Sequence, residues 1–305
     1  MNSDTHTISE TMIDTNDGHS LYVQDWGNKE AATTFVFLHG GPGSGCDDGH
    51  KSFFNPHKNR VIFFDQRGTG KSTPYGSLES NTTADLIGDI SQITAALGVK
   101  QFVIVGGSWG STLALAYTLK EPSKVLGLVL RGIYTGSLDE NNALEKGHFR
   151  QFFPDVWQRF LDKTPTAHHK DPAAYHVERI LGNDEDAIKE SAYAMNELEV
   201  SVVKLDDRMS TVDILDFDPI PTKIEVHYTK NLCFMPDKYL LDNAYKIKTR
   251  AFLIQGRYDA VCPPITAYEL HKKMPNSQLI WTLAGHSGSD RANYEATKTA
   301  IASFE

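Results

Sequence analysis

The sequence predicts an α/β protein: a mostly parallel sheet covered by helices on both faces, with a helical segment inserted in the middle of the chain. Three features carry this prediction. Short apolar runs rich in Val, Ile, Leu and Phe alternate with segments of helical period, the pattern of parallel strands buried on both faces. The texture changes after Ile133, where the chain becomes more polar and aromatic, helical in period and free of strong apolar strand runs. The earlier rhythm then resumes near residue 245. This divides the 305 residues into a first core part (1–134), a helical cap (135–244) and a second core part (245–305), ample material for a buried core.

Each element follows in order. Thr7–Ile13 and His19–Asp25 flank Asn16-Asp17-Gly18 and read as an antiparallel hairpin. Thr34–Leu38 and Arg60–Phe64 are short apolar strands ending in polar or glycine-rich loops. Thr82–Leu97 has apolar positions at helical spacing and stops at Gly98, a suitable C-cap. Gln101–Val105 is a buried strand, followed by a Gly-Gly-Ser-Trp-Gly knot and a helix to about Lys120. Val125–Leu130 is the next strand. After the cap, Thr249–Ile254 and Gln278–Leu283 are strands, while Pro264–Lys273 and Asp290–Phe304 are helices.

Composition narrows the function classes. The formal net charge is −9, which argues against nucleic acid and anionic membranes as partners, since both favour basic patches. The three cysteines, Cys46, Cys233 and Cys262, form no CxxC pair, so neither a zinc knuckle nor a redox pair is expected and free thiols are. The polar start MNSDTHTISETMIDTNDG is not a secretory signal, and no apolar run reaches the ~20 residues of a membrane span. A cytoplasmic protein is expected; composition leaves its oligomeric state open.

In an open α/β sheet the functional groups gather at the carboxyl ends of the strands. After Gln101–Val105 comes Gly106-Gly107-Ser108-Trp109-Gly110, a G-x-S-x-G sequence between strand and helix. That context makes Ser108 a candidate nucleophile on a strained elbow, with the Trp109 N–H facing the same space. A serine needs a base and an orienting carboxylate. The loops after the last two strands supply Asp259 and then His286, in the chain order this architecture requires. Asp290 is the nearest competitor to Asp259 and is better placed to cap the closing helix. After Thr34–Leu38 comes His39-Gly40-Gly41-Pro42-Gly43, where the Gly41 N–H would join that of Trp109 in an oxyanion hole. After Arg60–Phe64 comes DQRGTGKS, which is not a phosphate-binding loop, because the pattern needs glycine at Asp65. It reads as a structural turn with Arg67 in ion pairs.

The segments HGGPG (39–43), DQRGTGKSTP (65–74), GGSWGSTLALAY (106–117), LVLRGIY (128–134), GRYDAVCP (257–264) and AGHS (284–287) together resemble prolyl aminopeptidases, also called proline iminopeptidases. These are serine peptidases of the α/β-hydrolase fold. The resemblance implies that fold with an inserted helical cap, and release of N-terminal proline from peptides without metal or cofactor. It implies Ser108, Asp259 and His286 as catalytic, and a substrate with a free N-terminus held by cap glutamates. NELEVS maps Glu199 onto the first of these, and KIEVHYTKN maps Glu225 onto the second. Arg131 matches the LVLRG arginine, either lining the site or making a structural salt bridge. Two departures stand out: Leu198 replaces a usual tryptophan, and TGSLDENNALEKG replaces an aromatic cluster, so the wall against the proline ring is expected to differ. The alternatives are another serine hydrolase on this scaffold (esterase, lactonase or amidase) or a non-catalytic binding module.

Overall fold

A computed structural model describes residues 6–205 and 213–305; the first five residues of the polar N-terminal stretch lie outside it. Eight strands form one sheet: β1 (Thr7–Asp14), β2 (Ser20–Gly27), β3 (Thr34–Leu38), β4 (Arg60–Phe64), β5 (Phe102–Ser108), β6 (Val125–Ile133), β7 (Arg250–Gly256) and β8 (Ser277–Thr282). Their spatial order is β1-β2-β4-β3-β5-β6-β7-β8. β1, β2 and β4 pair antiparallel and every other neighbour is parallel. β6 runs three residues past the expected Leu130, because Arg131 still pairs with both Gly107 and Ile254.

Side chains on the central strands divide between two faces with period two. Val36, Leu38, Ile62, Phe64, Ile104 and Leu253 join one cluster with apolar residues of α1 (Thr83–Ala96), α2 (Trp109–Lys120) and α9 (Pro264–Lys273). Their neighbours Phe35, Phe37, Val61, Phe63, Val103 and Phe252 join the opposite cluster with α10 (Arg291–Ala302). This accounts for the unbroken apolar runs in the sequence. α1 begins on a Thr82–Asp85 capping box, which satisfies orphan N–H groups at its first turn.

Between β6 and β7 the described residues form helices and turns only: α3 (Leu138–Glu145), α4 (Pro154–Asp162), α5 (Pro172–Ile180), α6 (Glu185–Val200), α7 (Ile220–Lys230) and α8 (Tyr239–Asn243). Ile180, Ala192 and Val226 give α5, α6 and α7 a small apolar cluster of their own. The β4 loop is anchored by Arg67, whose guanidinium makes two 2.7 Å bonds to Asp89 in α1 and one of 2.6 Å to Asp17 in the hairpin turn. Arg67 and Asp89 are both buried. Removing one partner of such a pair strands the other charge, at a cost of about 3–5 kcal/mol. Arg67→Met should therefore lower unfolding stability in urea by about 3 kcal/mol or more. A change below about 1 kcal/mol, the size typical of a surface ion pair, would refute the structural role.

Candidate active site

Ser108 ends β5 and precedes α2 with φ 56° and ψ −127°. A non-glycine residue in this region costs about 1–3 kcal/mol and persists where its surroundings over-determine it. Those surroundings are backbone. A Cβ on Gly106 would lie 2.5 Å from the Gly110 carbonyl oxygen, and one on Gly110 would collide with the Leu38 carbonyl. The elbow is thus pressed directly against the end of β3. Trp109 opens α2, so no intrahelical acceptor claims its N–H. Its indole is fully buried, donates to Gln66 Oε1 at 2.8 Å and packs tilted on Tyr228, with centroids 4.7 Å apart.

Gln66 also organises the glycine-rich loop after β3. Its N–H donates to His39 Nε2 at 3.0 Å and its side-chain NH₂ donates to the His39 carbonyl at 3.1 Å. Burial pushes His39 down to about 4, so the ring is neutral near pH 7. These partners place its proton on Nδ1, which donates to the Gly40 carbonyl at 2.9 Å. The Gly40–Gly41 peptide is a rigid trans plane. Fixing its C=O therefore fixes the opposite direction of the Gly41 N–H.

Asp259 and His286 meet at 2.8 Å, Oδ2 to Nδ1, and both are buried. The other Asp259 oxygen accepts the N–H groups of Val261 (3.0 Å) and Cys262 (2.8 Å). Gln255 donates to Asp259 Oδ2 at 3.0 Å while its own oxygen accepts the Ile133 N–H at 2.8 Å. Gly107 pairs with Arg131 and Ser108 with Ile133, which leaves Gly132 as the extra residue of a bulge. Gly132 has φ +54°, and a Cβ there would come within 2.8 Å of His286 Cε1. The bulge therefore seats the imidazole at the strand end beside the elbow. From above, the His286 and Ser287 N–H groups both donate to the carbonyl of Val203, at 2.8 and 3.0 Å, just beyond α6.

Arg131 takes neither of the roles left open for it. It lies outside the pocket that holds Ser108 and forms no ion pair among the described residues. It donates instead to the His286 carbonyl, and burial pushes its guanidinium below the usual arginine value. Asp290 precedes α10 at the N-cap position but makes no cap hydrogen bond. Its carboxylate accepts the Gly285 N–H at 2.8 Å instead, fixing the residue before His286.

Gly41, Ser108, Glu199 and Glu225 line one narrow pocket, a cavity of about 60 Å³. Glu225 is pushed well up, first by burial and then by the adjacent Glu199, whose carboxylate is within hydrogen-bonding reach. Two such carboxylates share a proton when nothing else neutralises them. Cys262 lies within hydrogen-bonding reach of the Ser108 hydroxyl, and burial pushes its thiol up. Leu198 is buried and lines the same pocket. Sequence reasoning did not single out Gln66, Gln255, Tyr134 or Glu145. Gln66 and Tyr134 sat within quoted motifs; Glu145 lay in TGSLDENNALEKG, where the sequence alone gave no signal for it.

A family model for the alpha/beta hydrolase fold matches residues 33–289. A proline iminopeptidase of Arabidopsis thaliana is 39% identical over 282 residues, covering 90% of this chain and 74% of the relative. One from Xylella fastidiosa (strain 9a5c) is 38% identical over 294 residues, 94% of each chain. Among solved structures, a proline iminopeptidase of Mycobacterium smegmatis aligns with TM-score 0.64 at 19% identity over 97% of each chain. An esterase of Exiguobacterium antarcticum aligns with TM-score 0.61 at 21% identity, covering 97% of this chain and 99% of that one. At these identities the structural likeness concerns the fold alone.

The bulge makes a sharp prediction. Gly132→Ala should leave thermal unfolding cooperative but slow labelling of Ser108 by a fluorophosphonate about 100-fold, the order expected when a catalytic group is displaced by about 1 Å. An unchanged labelling rate would contradict the seating of His286 on Gly132.

Proposed function

Because the chain belongs to the proline iminopeptidase family of the α/β-hydrolase fold, we propose that Ser108, His286 and Asp259 carry out its reaction and that Glu199 and Glu225 select its substrate. The protein is a prolyl aminopeptidase, a hydrolase that releases N-terminal proline from peptides. The observation that carries the assignment of residues is the single pocket in which the elbow serine faces two neighbouring carboxylates on α6 and α7.

A pyrrolidinium nitrogen has two N–H donors, and the two carboxylates offer one acceptor each. Its positive charge takes the place of the proton the pair otherwise shares, and charge-assisted bonds of this kind are roughly twice as strong as neutral ones. The anchored nitrogen sets the distance to the first carbonyl, so cleavage falls after one residue. Ser108 Oγ attacks that carbonyl while His286 Nε2 takes the hydroxyl proton, and the Nδ1–H bond to Asp259 stabilises the imidazolium. The Gly41 and Trp109 N–H groups receive the oxyanion. On collapse, His286 protonates the departing amine. It then removes a proton from water, which hydrolyses the prolyl-enzyme and restores Ser108.

Cys46, Cys233 and Cys262 are unpaired thiols, which suits the cytoplasmic setting included in the proposal. No described helix is long and apolar enough to cross a membrane.

The test is turnover of prolyl and acetyl-prolyl anilides. Acetylation removes the charge and should lower kcat/KM at least about 30-fold, in line with the 2–5 kcal/mol cost of unpairing a buried charge. Glu225→Ala should lower prolyl kcat/KM by a similar factor, and Ser108→Ala should abolish turnover. Equal rates on the free and acetylated substrates would overturn the assignment of the glutamates.

A further inference from the structure

A third carboxylate enters the pocket that proline does not need. Glu145 is the last residue of α3 and lines the same space as Ser108, Glu199 and Glu225. Its neighbour Glu140 also reaches the pocket, but Glu140 is occupied: it accepts the N–H groups of Thr135 and Ser137 and their hydroxyls. Glu145 accepts no hydrogen bond and forms no ion pair among the described residues. Lys146 follows it in the chain but is exposed, and among the described residues no Lys, Arg or His lines the pocket. Glu145 is half-buried, and a carboxylate partly withdrawn from water is stabilised by a cation brought beside it. A pocket that ends on a strained serine implies that its missing partner comes with the substrate.

We propose that the pocket also accepts N-terminal residues bearing a second cation on an unbranched side chain, lysine or ornithine, and that Glu145 is the group that selects them. The inference rests on the aminopeptidase reading above. The α-ammonium takes the Glu199–Glu225 pair, as the pyrrolidinium does. Glu145 lines the same pocket, and its charge bears on Glu225. A methylene stem reaching from the pair toward Glu145 would pack on Leu144, Met195 and Val226, which line the same pocket. Burial, followed by the charge of Asp171, pushes Glu145 up to about 7, as expected of a carboxylate whose counter-ion is not yet bound. The bond-making and bond-breaking steps at Ser108 are those already described.

Lysyl, norleucyl and prolyl anilides test this, because norleucine matches the lysine stem without its ammonium. Wild-type enzyme should show a kcat/KM about tenfold higher on the lysyl than on the norleucyl substrate, the size of one charge-assisted bond. Glu145→Gln should bring that ratio toward one. As a measurement independent of the variant's folding, lysinamide should inhibit wild-type prolyl turnover more tightly than norleucinamide. Prolyl turnover with norleucyl equal to or better than lysyl overturns the inference alone, as does a lysyl preference that survives Glu145→Gln in folded protein. Absence of prolyl turnover in the wild type overturns the aminopeptidase reading and this inference with it.

Discussion

One peptide plane, Gly40–Gly41, governs the geometry of the site. Its carbonyl is held by a neutral, fully buried His39, so its N–H is aimed without any side chain on the glycines themselves. His39 is oriented by Gln66, and Gln66 simultaneously accepts the Trp109 indole N–H. One amide side chain thereby locks together the loops after β3 and β4 and the first turn of α2. The low dielectric that keeps His39 uncharged also strengthens these bonds and makes each one costly to lose. Preorganised donors of this kind need no rearrangement as charge develops on the substrate, which is why they stabilise a transition state better than water does.

The helical insertion serves two purposes through one short segment. Glu199 lies in the last turn of α6, and Val203, four residues on, accepts the backbone N–H groups of His286 and Ser287. The segment that supplies a carboxylate to the pocket therefore also holds the histidine loop. Arg131 and Asp290 hold the same loop at the His286 carbonyl and the Gly285 N–H. On the proposed roles, displacement of the insertion would disturb amine recognition and base position together.

Much of this was legible in the sequence because the relevant signals are local. Apolar runs marked the strands; Ser108 closes β5, and Gly41, Asp259 and His286 follow the ends of β3, β7 and β8 within a few residues. What escaped was non-local. Arg131 acts on a carbonyl 155 positions away and Gln255 on an N–H 122 away, distances over which no periodicity reports. The early stop assigned to β6 had a related cause: Arg131 and Gly132 do not read as strand, yet the ladder and bulge extend through them. Asp290 was placed correctly before its helix, but a backbone N–H in the preceding loop outcompetes the cap for its carboxylate. Glu145 was hidden because helix α3 reads as an ordinary polar surface helix, and only the assembled pocket turns its last residue inward.

The central claim is that one pocket holds a prolyl nitrogen between Glu199 and Glu225 while Ser108 takes the carbonyl carbon. A crystal structure with the boronic acid analogue of proline tests it most directly, because boron forms the tetrahedral adduct at the position of that carbon. The account predicts a bond from Ser108 Oγ to boron and a ring nitrogen within about 3 Å of both carboxylates. An adduct whose nitrogen faces solvent, or boron bound away from Ser108, would contradict it.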